Sequence, residues 1–342
     1  MTSKSHRGRK EIIVSGKKYI VQKELGSGAF GTTYGCHIEG DKDKTKYCVK
    51  CMVLPKNDQY FKRRLRDIKR EIAVLKKLNP YDHSNILKFI DYGYEKRPEE
   101  YEYQLVTDWI TGKSLRAYMN DKSMYRWPLK HTVHVMKQIA AGLGLLHQLG
   151  VVHRDIKPEN TMLVCRGRKK RPVVIDFGFA SIYYPKSCSI ADADEYQKWC
   201  QNFERKWVIS DNHWKGTPTY IAPELWEHLM GIKRIEPHET NILRYSDVFA
   251  TGCMFYRMLT RDTPWRTLPR DKNSRDELGR EIIRRSWRET GGDPDQLDCS
   301  KSWCNIRKDL AFLVNSMLAY DPQKRLSMFQ VYQALQMIEN DL

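Results

Sequence analysis

One eight-residue loop, His153-Arg154-Asp155-Ile156-Lys157-Pro158-Glu159-Asn160, brings a carboxylate, an ammonium and an amide close together. Asp155 can take a proton from a hydroxyl, Lys157 can neutralise a phosphoryl group as it transfers, and the amide oxygen of Asn160 can ligate a hard cation. Further on, the apolar run Pro172-Val173-Val174-Ile175 leads into Asp176-Phe177-Gly178. A carboxylate at the end of a buried strand, followed by glycine, suits a magnesium ligand on a movable loop. Nearer the N-terminus, Gly26-Ser27-Gly28-Ala29-Phe30-Gly31 precedes Thr32-Thr33-Tyr34, which continues as strand rather than helix. That context argues against a dinucleotide fingerprint and for a strand–loop–strand cover whose amides meet phosphate oxygens. Lys50 lies on an apolar strand, where a buried ammonium needs an anion, and Glu71 on the following helix is the natural candidate. Taken singly, each feature has a plainer reading: a hairpin turn, a surface lysine on an edge strand, a capping aspartate. Their occurrence together, in this order, gives them weight.

These residues need elements to position them. Tyr19-Ile20-Val21 and residues 32–36 flank the glycine cluster as strands, and residues 46–53 form another. Residues 58–78 are strongly basic and carry Leu65, Ile68, Ile72, Leu75 and Leu78 at helical spacing. Strand-like runs follow near 86–92 and 103–109, and Thr111-Gly112-Lys113 breaks the chain. Helices dominate beyond it, at 130–149 (with Val133, Met136, Ile139, Ala140, Leu143 and Leu146 on one stripe), 245–260 and 307–319. The pattern is α+β: a β-rich front part and a larger α-helical back part. Residues 1–18, basic and polar, read as a flexible tail.

The 342-residue chain carries a formal charge of +17, a field that draws acidic protein, nucleic acid, anionic lipid or polyphosphate without choosing among them. No apolar run reaches the ~20 residues of a membrane span. No signal-type stretch follows the basic start, and Thr2 stands where N-myristoylation needs glycine. The nine cysteines lack paired spacing, which points to reduced thiols in an intracellular setting, cytoplasmic or nuclear. Cys48 and Cys51 form a C-x-x-C, but a strand's period of two sends them to opposite faces.

The chain resembles the eukaryotic serine/threonine protein kinase family over residues 19–335. Besides the segments above, Gly216-Thr217-Pro218-Thr219-Tyr220-Ile221-Ala222-Pro223-Glu224 resembles the end of that family's activation segment. Residues 245–252 resemble the buried helix whose Asp, here Asp247, holds the catalytic loop. Asp321-Pro322-Gln323-Lys324-Arg325 resembles the motif whose Arg pairs with Glu224.

The resemblance implies a bilobal fold, with an N-lobe at 19–110 and a C-lobe at 111–342. It further implies transfer of the ATP γ-phosphoryl group to Ser or Thr of protein substrates, with ATP and Mg2+ required. Gly26, Ser27, Gly28, Ala29, Phe30 and Gly31 would cover the phosphates, with Lys50 on the α/β-phosphates and paired to Glu71. Asp155 would be the base and Lys157 the γ-phosphate contact, with Asn160 and Asp176 holding magnesium. Thr107 would be the gatekeeper, Asp108-Trp109-Ile110 the hinge, and adenine would lie between Thr33 and Cys48 above and Met162 below. Leu75, Phe89, His153 and Phe177 would stack as an internal apolar column. Lys157 and Thr217 match the serine/threonine branch. Thr33 stands where the family usually has valine, and Cys48 where it usually has alanine.

Other features are less specific. Phospho-Ser210 or the carboxylate of Asp211 is a candidate partner for Arg154. Residues 192–209 read as an amphipathic helix that either packs back or docks a partner. The basic run 166–171 is a solvated turn, or else a nuclear-import or nucleic-acid patch, and the basic residues of 62–77 offer a dock for an acidic substrate or activator. A catalytically weak ATP-binding scaffold is the competing reading.

Overall fold

The structure is a computed structural model that describes residues 9–28, 31–42, 46–122, 127–167, 169–182, 217–235, 242–286 and 306–342. Ala29, Phe30, Ser210, Asp211, the 192–209 stretch and residues 1–8 of the N-terminal tail lie outside the described residues. The chain divides into two compact units. One runs through Thr111 and includes Asp176–Gly178; the other comprises Gly112–Ile175 and Phe179–Leu342.

The first unit is built on an antiparallel sheet. Its strands are β1 (Glu11–Val14), β2 (Lys17–Gly28), β3 (Gly31–Ile38), β4 (Tyr47–Pro55), β5 (Phe89–Lys96) and β6 (Glu100–Asp108), in the order β1-β2-β3-β4-β6-β5. Strand alternation separates two faces. On one face Tyr34, Cys36, Val49, Cys51 and Val106 form a core with Ile12, Val14 and Tyr19. The register pairs Thr33 with Lys50, Gly35 with Cys48, Cys48 with Thr107 and Lys50 with Leu105, so these residues share the other face. Helix α1 (Phe61–Leu78) buries Ile68, Glu71, Ile72, Val74, Leu75 and Leu78.

The flexible tail read over 1–18 needs correction, because its second half is strand. Ile12 is 1% exposed and Ile13 62%, the alternation of a half-buried strand. Ser15 and Gly16 turn the chain at φ 49° and 77°, the two-residue hairpin geometry whose twist matches the flanking strands. Arg9, just before β1, is ion-paired to Glu102, whose side chain is 0% exposed. The second Glu102 oxygen lies 2.7 Å from Arg97. Burial pushes the Glu102 carboxyl up, but the Arg9 bond and the two guanidinium charges outweigh it and hold the group below its ordinary value.

The second unit is mainly helical: α2 (Leu115–Asn120), α3 (Leu129–Gln148), α4 (Pro223–Leu229), α5 (Ile242–Thr260), α6 (Lys272–Arg285), α7 (Lys308–Met317) and α8 (Met328–Asn340). The Val133–Leu146 stripe of α3 is fully buried, and α5 is buried on nearly every side, as its continuous apolar composition requires. Two small sheets carry the loops. β7 (Lys113–Ser114), β9 (Thr161–Arg166) and β10 (Lys169–Val174) form one, and β8 (Val151–Val152) pairs with β11 (Ser181–Ile182) in the other. Gly167, at φ 60°, turns the β9–β10 hairpin within the basic run. Among the described residues no helix is long and apolar enough to cross a membrane.

The Arg9–Glu102 contact makes a prediction. Arg9→Ala leaves a buried carboxylate short of a partner and is expected to cost ~2–4 kcal/mol in a urea titration at pH 7. A depressed carboxyl stabilises above its unfolded pKa, so the gap to wild type should narrow as pH falls through about 4 and below. Equal stability of the two proteins at pH 7 would refute the role.

Candidate active site

In the first unit, Lys50 Nζ donates to both oxygens of Glu71, at 2.8 and 2.9 Å. Burial pulls the Lys50 ammonium towards neutrality, but the charges of Glu71 and Asp176 outweigh it and hold its pKa above the ordinary lysine value. A fixed cation therefore stands on the same sheet face as Thr33, Cys48 and Thr107. Thr107 is buried, while Thr33, Cys48, Asp108 and Ile110 are half-buried. Burial pushes the Cys48 thiol up to about 11, so it remains protonated. The Trp109 ring lies against Gly35, where a Cβ would come within 2.6 Å of it, and Lys23 and Lys46 stand over the ring.

The glycines of the β2–β3 loop divide into two kinds. At Gly31, φ is +126° and a Cβ would sit 2.2 Å from the Cys51 carbonyl oxygen, so the fold itself demands glycine. At Gly26 and Gly28 a Cβ would meet nothing within 4 Å among the described residues. Both are exposed, with Ser27 between them bonded to Thr32 Oγ1 at 3.0 Å. Asp176 and Gly178 belong to this unit too. Asp176 has φ +65° and accepts from the Gly178 N–H at 3.3 Å, while Phe177 is fully buried, as are Leu75 and Phe89 to within a few per cent.

In the second unit, the 153–160 loop runs from β8 to a short 3-10 helix at Pro158–Asn160. Asp247, from α5, accepts from the main-chain N–H of His153 at 2.7 Å and of Arg154 at 2.8 Å, and lies 3.2 Å from His147 Nε2. Arg154 sits at φ +66°. His153 is buried; its Nδ1 accepts from the Asp155 N–H at 3.3 Å, which leaves Nε2 as the donor to the Ile175 carbonyl at 3.0 Å. Asp155 Oδ2 receives Asn160 Nδ2 at 2.8 Å and Lys157 Nζ at 2.7 Å. Lys157 also donates to Thr217 Oγ1 at 3.0 Å. Asp155 Oδ1 is buried without a hydrogen-bond partner among the described residues. Asn160 Nδ2 also donates to the Asp155 carbonyl, which fixes the amide and leaves its Oδ1 as the available acceptor. Met162 is half-buried on β9, opposite Val173. Arg325 makes two bonds to the buried Glu224, at 2.8 and 2.7 Å, and caps the Ala319, Tyr245 and Tyr320 carbonyls.

Among the described residues no three His, Cys, Asp or Glu side chains form a metal cage. Magnesium does not need one, since it takes one or two carboxylates and completes its shell with substrate phosphates and water. Asp176 in the first unit and the oriented Asn160 oxygen in the second are each hard oxygen donors of the kind it takes. Two residues in contact with these segments carried no distinct signal in the sequence. His147 reaches Asp247 across a hundred positions of sequence, with no local signal. Arg70 was absorbed into the basic stretch although it stands directly before Glu71.

Comparison with known proteins bears on the whole arrangement. A family profile described as "Protein kinase domain" matches residues 19–336. "Calcium/calmodulin-dependent protein kinase type 1B" of Rattus norvegicus is 27% identical over 317 residues, covering 93% of this chain and 74% of that protein. "Calcium-dependent protein kinase 11" of Oryza sativa subsp. japonica is 27% identical over 312 residues, covering 90% of this chain and 43% of that protein. "Serine/threonine-protein kinase ATG1c" of Arabidopsis thaliana is 25% identical over 309 residues, covering 90% and 34%.

Asp247→Ala strips the acceptor from two main-chain N–H groups at the head of the loop. It is expected to lower unfolding free energy by ~3 kcal/mol, and Asp247→Asn, which keeps one oxygen, by less. Chemical denaturation of both variants checks the order.

Proposed function

The chain belongs to the protein kinase family and is a serine/threonine kinase, and on that premise we propose how its own residues divide the work. Asp155 is the catalytic base. One of its oxygens is held by Asn160 and Lys157, and the other is buried with no hydrogen-bond partner among the described residues, ready for the proton of a substrate hydroxyl. That asymmetry is the observation that carries the reading. As the hydroxyl oxygen bonds to the ATP γ-phosphorus, the bond to the β-bridging oxygen breaks, ADP leaves and Asp155 takes the proton. Lys157 bridges Asp155 and Thr217, so its ammonium is fixed where negative charge grows on the γ-phosphoryl oxygens.

Lys50, clamped by Glu71, binds the α/β-phosphates. Ser27, Ala29, Phe30 and the glycines at 26, 28 and 31 cover them. Thr33, Cys48, Thr107, Asp108, Ile110 and Met162 receive the adenine. Asn160 and Asp176 hold Mg2+, which when bound supplies charge neutralisation on the phosphates. We assign residues 19–335 to one catalytic domain, with lobes at 19–110 and 111–342. We place it inside the cell, in cytoplasm or nucleus, which suits free thiols at Cys36, Cys48, Cys51, Cys165 and Cys253. Its basic surface draws acidic protein or nucleic acid.

The test is label transfer from Mg-ATP to the chain itself and to a peptide array, followed by phosphoamino-acid analysis. Asp155→Asn should cut transfer by ~10²–10⁴-fold while nucleotide affinity stays near wild type. Label should reside on serine and threonine; label on tyrosine alone would overturn the acceptor assignment. Wild-type protein that binds ATP but labels nothing would make the chain a scaffold.

A further inference from the structure

Arg70 belongs to the strongly basic stretch 58–78, yet it turns inward. Its side chain is 13% exposed, and Nη2 lies 2.9 Å from Asp67, one helical turn back. The same nitrogen donates to the main-chain carbonyl of Gly178 at 3.3 Å. Asp67 already supplies the counter-ion that a buried guanidinium needs, so neutralisation does not require the Gly178 contact. The contact gives the Gly178 carbonyl a charged donor.

Gly178 is confined on its other sides. A Cβ there would lie 3.2 Å from Asp176 Oδ1 and 3.7 Å from Glu71 Oε2. Its N–H donates to Asp176 Oδ1 at 3.3 Å, and Asp176 stands at φ +65°, a left-handed conformation that a non-glycine residue holds only when its surroundings enforce it. The peptide group before Gly178 thus orients the Asp176 carboxylate, and Arg70 grips the group after it. Arg70 and Glu71 are neighbours on α1, so one helix turn sets Lys50 through Glu71 and the Asp176 turn through Arg70.

We propose that Arg70 is a positioning residue for phosphoryl transfer, holding Gly178 so that the carboxylate of Asp176 keeps the orientation in which it binds magnesium. This rests on the assignment of Asp176 given above.

The experiment compares full-length wild type, Arg70→Gln and Arg70→Lys. The first readout, independent of activity, is hydrogen exchange over 176–178 in the absence of nucleotide. The second is kcat with the Mg2+ concentration for half-maximal rate at saturating ATP. Arg70→Gln should exchange faster at 176–178, lose roughly 10- to 100-fold in kcat and need more Mg2+, with KM for peptide unchanged. Arg70→Lys, which restores a charged donor, should recover part of each. Wild-type exchange and kcat in Arg70→Gln would overturn the proposal, as would equal losses in both variants with a matching fall in thermal stability. If wild type transfers no phosphate, the kinase mechanism fails on that result, and the exchange measurement alone decides the role of Arg70.

Discussion

A carboxylate taken out of water has to recover its lost hydrogen bonds from protein donors, and Asp247 recovers them from the backbone of the 153–160 loop. It is 1% exposed and accepts from two consecutive main-chain N–H groups. That pairing lets Arg154 sit at positive φ and fixes the direction in which the chain leaves β8. Asp155, Lys157 and Asn160 follow within six residues, so their positions descend from this one anchor. Helix α5 can hold Asp247 still because it is packed on almost every side.

The same rule recurs at each buried charge. Glu71 holds Lys50, Glu102 holds Arg9 and Arg97, and Glu224 holds Arg325. Such pairs contribute little net stability compared with an apolar replacement, because desolvation offsets much of their attraction. Their effect is to fix geometry, since breaking one leaves a charge with nowhere to go. Arg325 illustrates this: its five contacts tie Glu224 at the start of α4 to the chain before α8.

Much of this was legible in sequence because the chemistry sits in contiguous segments. Residues 153–160 and 176–178 announce themselves by type and order, and a period of two puts Cys48 and Lys50 on one face. Less legible was whatever depends on distant partners or on a neighbour's context. The Ser15-Gly16 turn was a readable hairpin signal, but the basic residues around it suggested a tail, and β1 emerges only when Ile12 and Val14 find the core. Arg9 and Glu102 are separated by 93 positions. Arg70 hid among other cations of α1, because composition reports how many charges a helix carries and not which one is turned inward.

The contrast among the glycines of the β2–β3 loop bears on how such a sequence can vary. Gly31 is pinned by the Cys51 carbonyl, whereas a side chain at Gly26 or Gly28 would meet none of the described residues. Selection at Gly31 acts through folding, on every molecule made. If Gly26 and Gly28 cover phosphate as proposed, selection there acts only when a ligand arrives, and drift at these two positions would erode occupancy while leaving abundance intact. A lineage could in that case lose nucleotide binding, and catalysis with it, and keep a well-folded protein.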